Sequence, residues 1–490
     1  MQFGLPYKSY IQRSACPWTL LLAVLSLVQI AAAAEPTAAP LKPRPNILIF
    51  FIDDLGCRDI GVDGSTFHET PNLDALAKSG VRFTDFYSGH PVCSPTRAAL
   101  MTGKVPQRVG ITDWIHPENG IQIPAEEVTL GEAFQANGYQ TGYIGKWHLG
   151  EGESAQPPKN GFAWTKGVNR GGAPGSYYFP YKRTDGYEPK LWDVPDFADG
   201  KKGDYLTDVL SASAIDFIKQ RDKEKPFLLC FGQYAVHTPI QPPLDLQKKY
   251  QDKRAKLFGD SKTPEINGEG KVRSRARQDN ADYAAMIENL DTNIGRVLKY
   301  LDDAGLRENT IVIFTSDNGG LSTLDGHSGP TCNLPLRNGK GWTYEGGIRI
   351  PMYISWPAGL KPATCNTPGY TADFYPTLLE LCDMPQSPKQ HLDGRSLASA
   401  LRGTPDETLA ERPIAWYYPH EHGSGHRPSA AMRRGKWKLV HSLVKNKSEL
   451  YDLSSDPGEQ KEISAANADV TKDLEKQLLA WIAETTGKGS

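Results

Sequence analysis

The stretch PNILIFFIDDLG (residues 45–56) decides the fold. Residues 45–51 form a continuous apolar, β-branched and aromatic run without the alternation of a half-buried strand. Such a run reads as a strand covered on both faces, the pattern of a parallel sheet packed between helices. It ends in Asp53-Asp54-Leu55-Gly56, two acids and a turn signal. The same texture recurs along the chain. Residues 139–144 lead into Gly145-Lys146-Trp147-His148, residues 227–231 into Tyr234-Ala-Val-His237, and residues 310–314 into Ser316-Asp317-Asn318-Gly319-Gly320. Helices are predicted between them: over 72–79, with Asn72 as N-cap and Gly80 as stop, and from the capping box Thr129/Glu132 to Gly138. The clearest spans 281–303, where Tyr283, Ile287, Leu290, Ile294, Val297 and Leu301 recur at spacings of three and four. Strands alternating with helices imply an α/β fold with a mainly parallel sheet. Sites in such folds lie beyond the carboxyl ends of the strands. Asp53-Asp54, Lys146/His148, His237 and Asp317-Asn318 are therefore expected on one rim.

The rest of the chain bounds its class. At 490 residues, 39% hydrophobic and 23% charged, it is globular rather than disordered or fibrous. A formal charge of −2 gives no general reason to expect nucleic acid or an anionic membrane as partner, so any attraction for anions must be local. Lys8 and Arg13 precede an apolar run over 18–34 that ends in four alanines, the pattern of a cleaved secretory signal (1–34). The run is shorter than the roughly 20 residues that span a bilayer. A Pro-rich linker (35–44) follows, so the expectation is a secreted or periplasmic/extracellular protein without stable membrane insertion. Apart from Cys16, which leaves with the signal, the cysteines are Cys57, Cys93, Cys230, Cys332, Cys365 and Cys382. None forms a CxxC pair, which weakens zinc and thioredoxin-like readings, and disulfide pairing stays open. After the main domain (45–400) the texture changes. Short strands at 413–418, 430–433, 437–441 and 449–453, then an amphipathic helix at 470–485, predict a smaller α+β subdomain (401–490) with an antiparallel sheet. Residues 248–282, charged and weakly periodic, read as an exposed excursion.

The chemistry centres on Cys93-Ser94-Pro95-Thr96-Arg97. Ser94 is expected to cap a helix that carries Pro95 in its first turn and stops at Gly103. Cys93 then sits at a helix N-terminus, which favours an anion, with Arg97 one turn on. A capped helix with a buried thiol explains the local pattern equally well. Asp53-Asp54 and Asp317-Asn318 add hard oxygen ligands suited to Ca²⁺ or Mg²⁺. Lys146, His148, His237 and Lys340 add cationic and titratable groups. Together they suit transfer of an anionic, tetrahedral group.

CSPTRAALMTG (93–103) and GYIGKWHLG (142–150) resemble the two signatures of the type I, formylglycine-dependent sulfatases. TPNLDALAKSGVRFTDFY (70–87), HTP (237–239), SDNGG (316–320), GKGWTYEGGIRIP (339–351) and LYDLSSDPGE (450–459) are similar to further segments of that family, in order. The resemblance runs from Pro45 to the end of the chain. It implies the alkaline-phosphatase-like fold, with a large mixed sheet sandwiched by helices. It also implies a formylglycine-generating maturation enzyme that oxidises Cys93 to formylglycine, and a calcium ion, rather than magnesium, held by Asp53, Asp54, Asp317 and Asn318 with residue 93 near it. One hydroxyl of the hydrated aldehyde would attack sulfur and leave a sulfated enzyme. Arg97 and Lys146 would stabilise the nucleophile, and Asp317 would accept its proton. Lys146, His237 and Lys340 would bind the sulfate, the latter two helping to protonate the leaving oxygen. His148 would take the proton of the remaining hydroxyl so that sulfate leaves. Carbohydrate-acting members of arylsulfatase A or N-acetylgalactosamine-sulfatase type point to sulfated galactose or N-acetylgalactosamine units as substrate, with His90, Trp114, His116, Trp342 and His420 as candidates for contacting the sugar. The competing readings are a phosphonate or phosphate-ester hydrolase of the same superfamily and an inactive sugar-binding homologue.

Overall fold

In the computed structural model, residues 43–116, 119–183, 191–267 and 272–487 are described. The predicted signal and most of the linker lie outside them. The main sheet has eight strands: β1 (Asn46–Ile52), β2 (Val81–Phe83), β3 (Gln140–Gly145), β4 (Trp164–Lys166), β5 (Phe227–Gly232), β6 (Thr310–Ser316), β7 (Met352–Ser355) and β8 (Ala363–Cys365). Their order is β8-β2-β7-β6-β1-β5-β3-β4. β1 pairs in parallel with both β5 and β6, β3 joins β5 in parallel, and β7 alone runs against its neighbours.

Burial on both faces is visible residue by residue in β1. Ile47, Ile49 and Phe51 enter one apolar core, while Leu48, Phe50 and Ile52 enter the other. This is the period-two alternation of a strand with no solvent face. The longer helices before the C-terminal sheet are α1 (Pro71–Ser79), α2 (Cys93–Thr102), α3 (Leu130–Ala136), α4 (Leu206–Gln220), α5 (Leu244–Phe258), α6 (Ala281–Asp303) and α7 (Phe374–Leu381). α2, α3 and α7 cover the first core, and α1, α4 and α6 the second. Every apolar position singled out in α6 is buried. The capping box at Thr129/Glu132 forms at the start of α3.

Three local expectations are corrected. α1 begins at Pro71 rather than being capped by Asn72. Asp291 of α6 accepts the N–H groups of Asn72 and Leu73 at 3.2 and 2.8 Å and the Asn72 amide at 2.7 Å, so the cap comes from another helix. α2 begins at Cys93 with extended Val92 before it. Ser94 is no cap, because its Oγ accepts the Ile115 N–H at 2.9 Å. The stretch 248–282 is not simply exposed: it contains most of α5, whose Tyr250 is buried against Phe67, Ala284 and Ala285.

The C-terminal sheet is antiparallel, β9 (Ile414–Tyr418), β10 (Ser429–Arg434), β11 (Trp437–Ser442) and β12 (Lys447–Asp452), and α8 (Ala468–Thr486) covers one face. Its other face shares an apolar cluster with the main sheet's loops, Trp416 and Val440 meeting Tyr87, Trp342 and Ile348. Beside that cluster lies a buried ionic group. Lys438 donates to Glu345 at 2.9 Å and pairs with Glu459 at 2.8 Å, while Glu459 accepts the Glu345 N–H at 2.7 Å. The described residues from Arg44 onward form one compact unit. Among the described residues no helix is long and apolar enough to cross a membrane, and all six cysteines are free thiols.

Candidate active site

Because β1, β5 and β6 are in level register, with Ile52 opposite Ser316 and Phe51 opposite Gly232, their carboxyl ends deliver the expected polar groups to one rim. Asp317 is clamped: Oδ2 accepts Arg97 Nε and Nη2 at 3.0 and 2.8 Å, and Oδ1 accepts the Asp54 N–H at 3.2 Å. Arg97 also donates to the Lys146 carbonyl at 2.7 Å, so its guanidinium holds the rim together. Lys146 donates to Asp53 at 2.6 Å and Lys340 to Asp54 at 2.9 Å, and the Asn318 amide reaches Asp54 at 2.8 Å. Two buried oxygens, Asp53 Oδ1 and Asn318 Oδ1, have no hydrogen-bond partner among the described residues. Buried acceptors are rarely left so. Three carboxylates and an amide around two unpaired oxygens fit a hard divalent cation. Asp53, Asp54 and His237 bring an oxygen or nitrogen each within 4.8 Å of one another, which sets His237 beside the carboxylates.

Backbone shape contributes. Asp54 (φ 61°) and His148 (φ 59°) both occupy the left-handed region, unfavourable for residues with a Cβ. Cys93 Sγ lies 3.4 Å from His148 Nδ1. His148 Nε2 is 3.0 Å from the Ile115 carbonyl, which only accepts, so the ring proton sits on Nε2 and the Nδ1 lone pair faces residue 93. His237 is the reverse: Nδ1 lies 2.8 Å from the Thr238 carbonyl, leaving Nε2 as the open nitrogen, 3.6 Å from Asp54.

Burial, then the Lys146 cation, pushes His148 well below the usual imidazole range. Burial and Lys340 push His237 down to about 3. Both rings are neutral at physiological pH. Burial raises the Cys93 thiol although Lys146 and Lys340 oppose it, so the thiolate is disfavoured. Burial holds Asp53 well above the usual carboxylate range in spite of Lys146. For Asp54, burial acts upward but its ammonium neighbours, Lys340 foremost and then Lys146, outweigh it, and its pKa falls below the usual range.

The sulfatase family model matches residues 45–384, and a model of the N-sulphoglucosamine sulphohydrolase C-terminal region matches residues 338–484. The chain belongs to the sulfatase family. It is 31% identical to human arylsulfatase A over 92% of this chain and 89% of that protein. To dog N-acetylgalactosamine-6-sulfatase it is 33% identical, over 82% of this chain and 73% of that one. A crystal structure of Ps i-CgsB in complex with k-i-k-neocarrahexaose superposes with a TM-score of 0.75 at 29% identity, covering 89% of this chain and 92% of that one. This sulfatase is thus a sulfuric ester hydrolase with the alkaline-phosphatase-like fold.

The sulfatase rim opens into a cavity of about 380 Å³, lined from the expected set by Asp54, Cys93, His148, His237 and Lys340. Arg97, Lys146, Asp53, Asp317 and Asn318 are buried behind them. Of the five residues considered for sugar contact, Trp114 alone lines this cavity. His90 is buried edge-on against Tyr418, Trp342 is buried with its indole donating to Ser424, and His420 pairs with Thr112. His116 packs on Trp114. The cavity also takes Trp192, His327, Glu421 and His422, which sequence reasoning missed because they follow no predicted strand of the main sheet. The dense run His420-Glu-His-Gly-Ser-Gly-His426 was the available signal.

Proposed function

We propose that this sulfatase removes sulfate esters from a sulfated carbohydrate of galactose or N-acetylgalactosamine type, using formylglycine made from Cys93 and a calcium ion. The observation that carries the reading is the placement of residue 93 between the His148 lone pair and an oxygen-rich rim with two unpaired acceptors. Asp53, Asp54, Asp317 and Asn318 would hold the calcium, which when bound offsets negative charge on the sulfate oxygens. Oxidised by a maturation enzyme and hydrated, residue 93 supplies one hydroxyl to attack sulfur and a second whose deprotonation expels sulfate. The raised thiol pKa supports this over direct attack by Cys93.

The chain's own groups complete the reaction. Arg97 fixes Asp317, which accepts the attacking hydroxyl's proton. His148, neutral with Nδ1 open, accepts the proton of the second hydroxyl. Lys340, which lines the cavity, binds the sulfate, and Lys146, buried behind it, stabilises the nucleophile. His237 Nε2 is open toward the cavity. A bound sulfate adds negative charge beside it, raises its pKa and lets it protonate the leaving oxygen. The names of the dog relative and of the hexaose complex support a carbohydrate substrate, and the predicted signal supports an exported enzyme.

The test compares 4-nitrophenyl sulfate with 4-nitrophenyl phosphate on the purified enzyme, beside mass spectrometry of the peptide containing residue 93. Sulfate preference and the mass of formylglycine or its hydrate are expected. A strong phosphate preference, or full activity with an unmodified cysteine, would overturn the reading.

A further inference from the structure

Loop 420–426 joins β9 to β10 of the C-terminal sheet, yet Glu421, His422 and Gly423 line the catalytic cavity. The loop is fastened there. Trp342 Nε1 and Thr323 Oγ1 both donate to the Ser424 carbonyl, at 3.1 and 3.3 Å. Glycine makes the approach possible: a Cβ on Gly341, directly after Lys340, would lie 2.2 Å from His422 Nδ1. A Cβ on Gly423 would lie 2.7 Å from His327 Nε2. With both glycines in place the His327 and His422 rings lie parallel, 6° apart in plane and 6.3 Å between centroids.

The Ser424 N–H, which can only donate, reaches His422 Nδ1 at 3.2 Å, with the Ser424 hydroxyl 2.9 Å away. Nδ1 is therefore an acceptor and the ring proton sits on Nε2. That Nε2–H has no protein acceptor among the described residues, although the ring lines the cavity. A donor with a fixed tautomer, on a fastened loop beside Lys340, is prepared for a ligand oxygen.

We propose that His422 is a specificity-determining residue whose Nε2–H binds an oxygen substituent of the sugar adjacent to the sulfate ester, with His327 and Trp114 walling the same subsite. The inference rests on the sulfate-ester reading above and adds a leaving group rich in acceptors. A sugar carries a hydroxyl, ring oxygen or acetamido carbonyl next to the ester carbon. A simple aryl sulfate carries none.

The experiment measures kcat and KM for wild type, His422→Ala and His422→Gln. The substrates are 4-nitrophenyl sulfate and a panel of monosulfated galactose and N-acetylgalactosamine, and melting temperatures check the fold. On the best sugar of the panel, His422→Ala is expected to lose about tenfold more kcat/KM than on the aryl sulfate, mainly through KM. His422→Gln, which keeps an N–H donor, should recover part of the loss. Equal losses on the two classes overturn the proposal, as does a wild type that cleaves the aryl sulfate but no sugar. A modified wild type that cleaves neither class would sink the sulfatase reading instead.

Discussion

Cys93, His148 and Asp317 carry the sharpest expectations at the scale of single residues. Cys93→Ala should lower turnover of an aryl sulfate by about three orders of magnitude or more, as loss of a nucleophile does, with the melting temperature nearly unchanged. Asp317→Asn removes the carboxylate that holds both Arg97 and the rim. It should abolish most activity and weaken calcium binding, read by calorimetric titration of calcium into chelator-treated enzyme. The same treatment of the wild type should remove activity, and restoring calcium should return it while raising the melting temperature by several degrees. Much of the rim was legible in sequence because Asp53-Asp54, Lys146/His148, His237 and Asp317-Asn318 each follow an apolar run, and the sheet's parallel register brings such ends together. His422 was not, since it comes from an antiparallel hairpin loop whose approach to Lys340 depends on Gly341. Asp54 and His148 carry a further lesson. Their left-handed backbone makes alanine a strained substitute, so Asp54→Ala combines lost chemistry with a backbone cost of about 1 kcal/mol that Asp54→Gly largely avoids.

Elements were read best where one face is long and regular. α6 spans Ala281–Asp303, the limits its periodicity predicts, whereas the caps of α1 and α2 were misassigned because tertiary partners override local propensity. The Asp291 cap on α1 has a measurable signature. Burial outweighs the backbone and Asn72 hydrogen bonds and raises its pKa to about 6, against roughly 3.9 in an unfolded chain. The folded protein therefore binds the proton more tightly. This contribution to stability is present in full below about pH 4 and is lost as pH rises through about 6. Chemical denaturation of wild type and Asp291→Asn across pH 4 to 7 should show wild-type stability falling relative to the variant in that window. A constant difference would count against the assignment.

At the scale of the molecule, the two sheets are joined by an apolar seam and by Lys438, which faces two buried carboxylates. Lys438→Met leaves Glu459 without its cation and Glu345 with Arg349 and the Tyr87 hydroxyl, and should cost about 3–5 kcal/mol, seen as a lower denaturation midpoint with a single transition. Since Glu345 lies five residues from Lys340, activity should fall in step with the fold. The change of texture after residue 400 revealed a second sheet, but the His-rich run 420–426 did not by itself place its β9–β10 loop at the catalytic cavity, because that depends on docking rather than pattern.

The central position of β1 has a consequence for biosynthesis. Its partners β5 and β6 lie 181 and 264 residues further along, as the contacts of Asn46 with Phe227 and Thr310 show. At about 5–20 residues per second, a nascent chain holds this apolar strand with both edges unpaired for on the order of tens of seconds. Such a segment is a template for intermolecular pairing. Yield of soluble protein should therefore respond to translation rate and chaperone supply, and charged substitutions within β1 would trade that hazard for loss of the core.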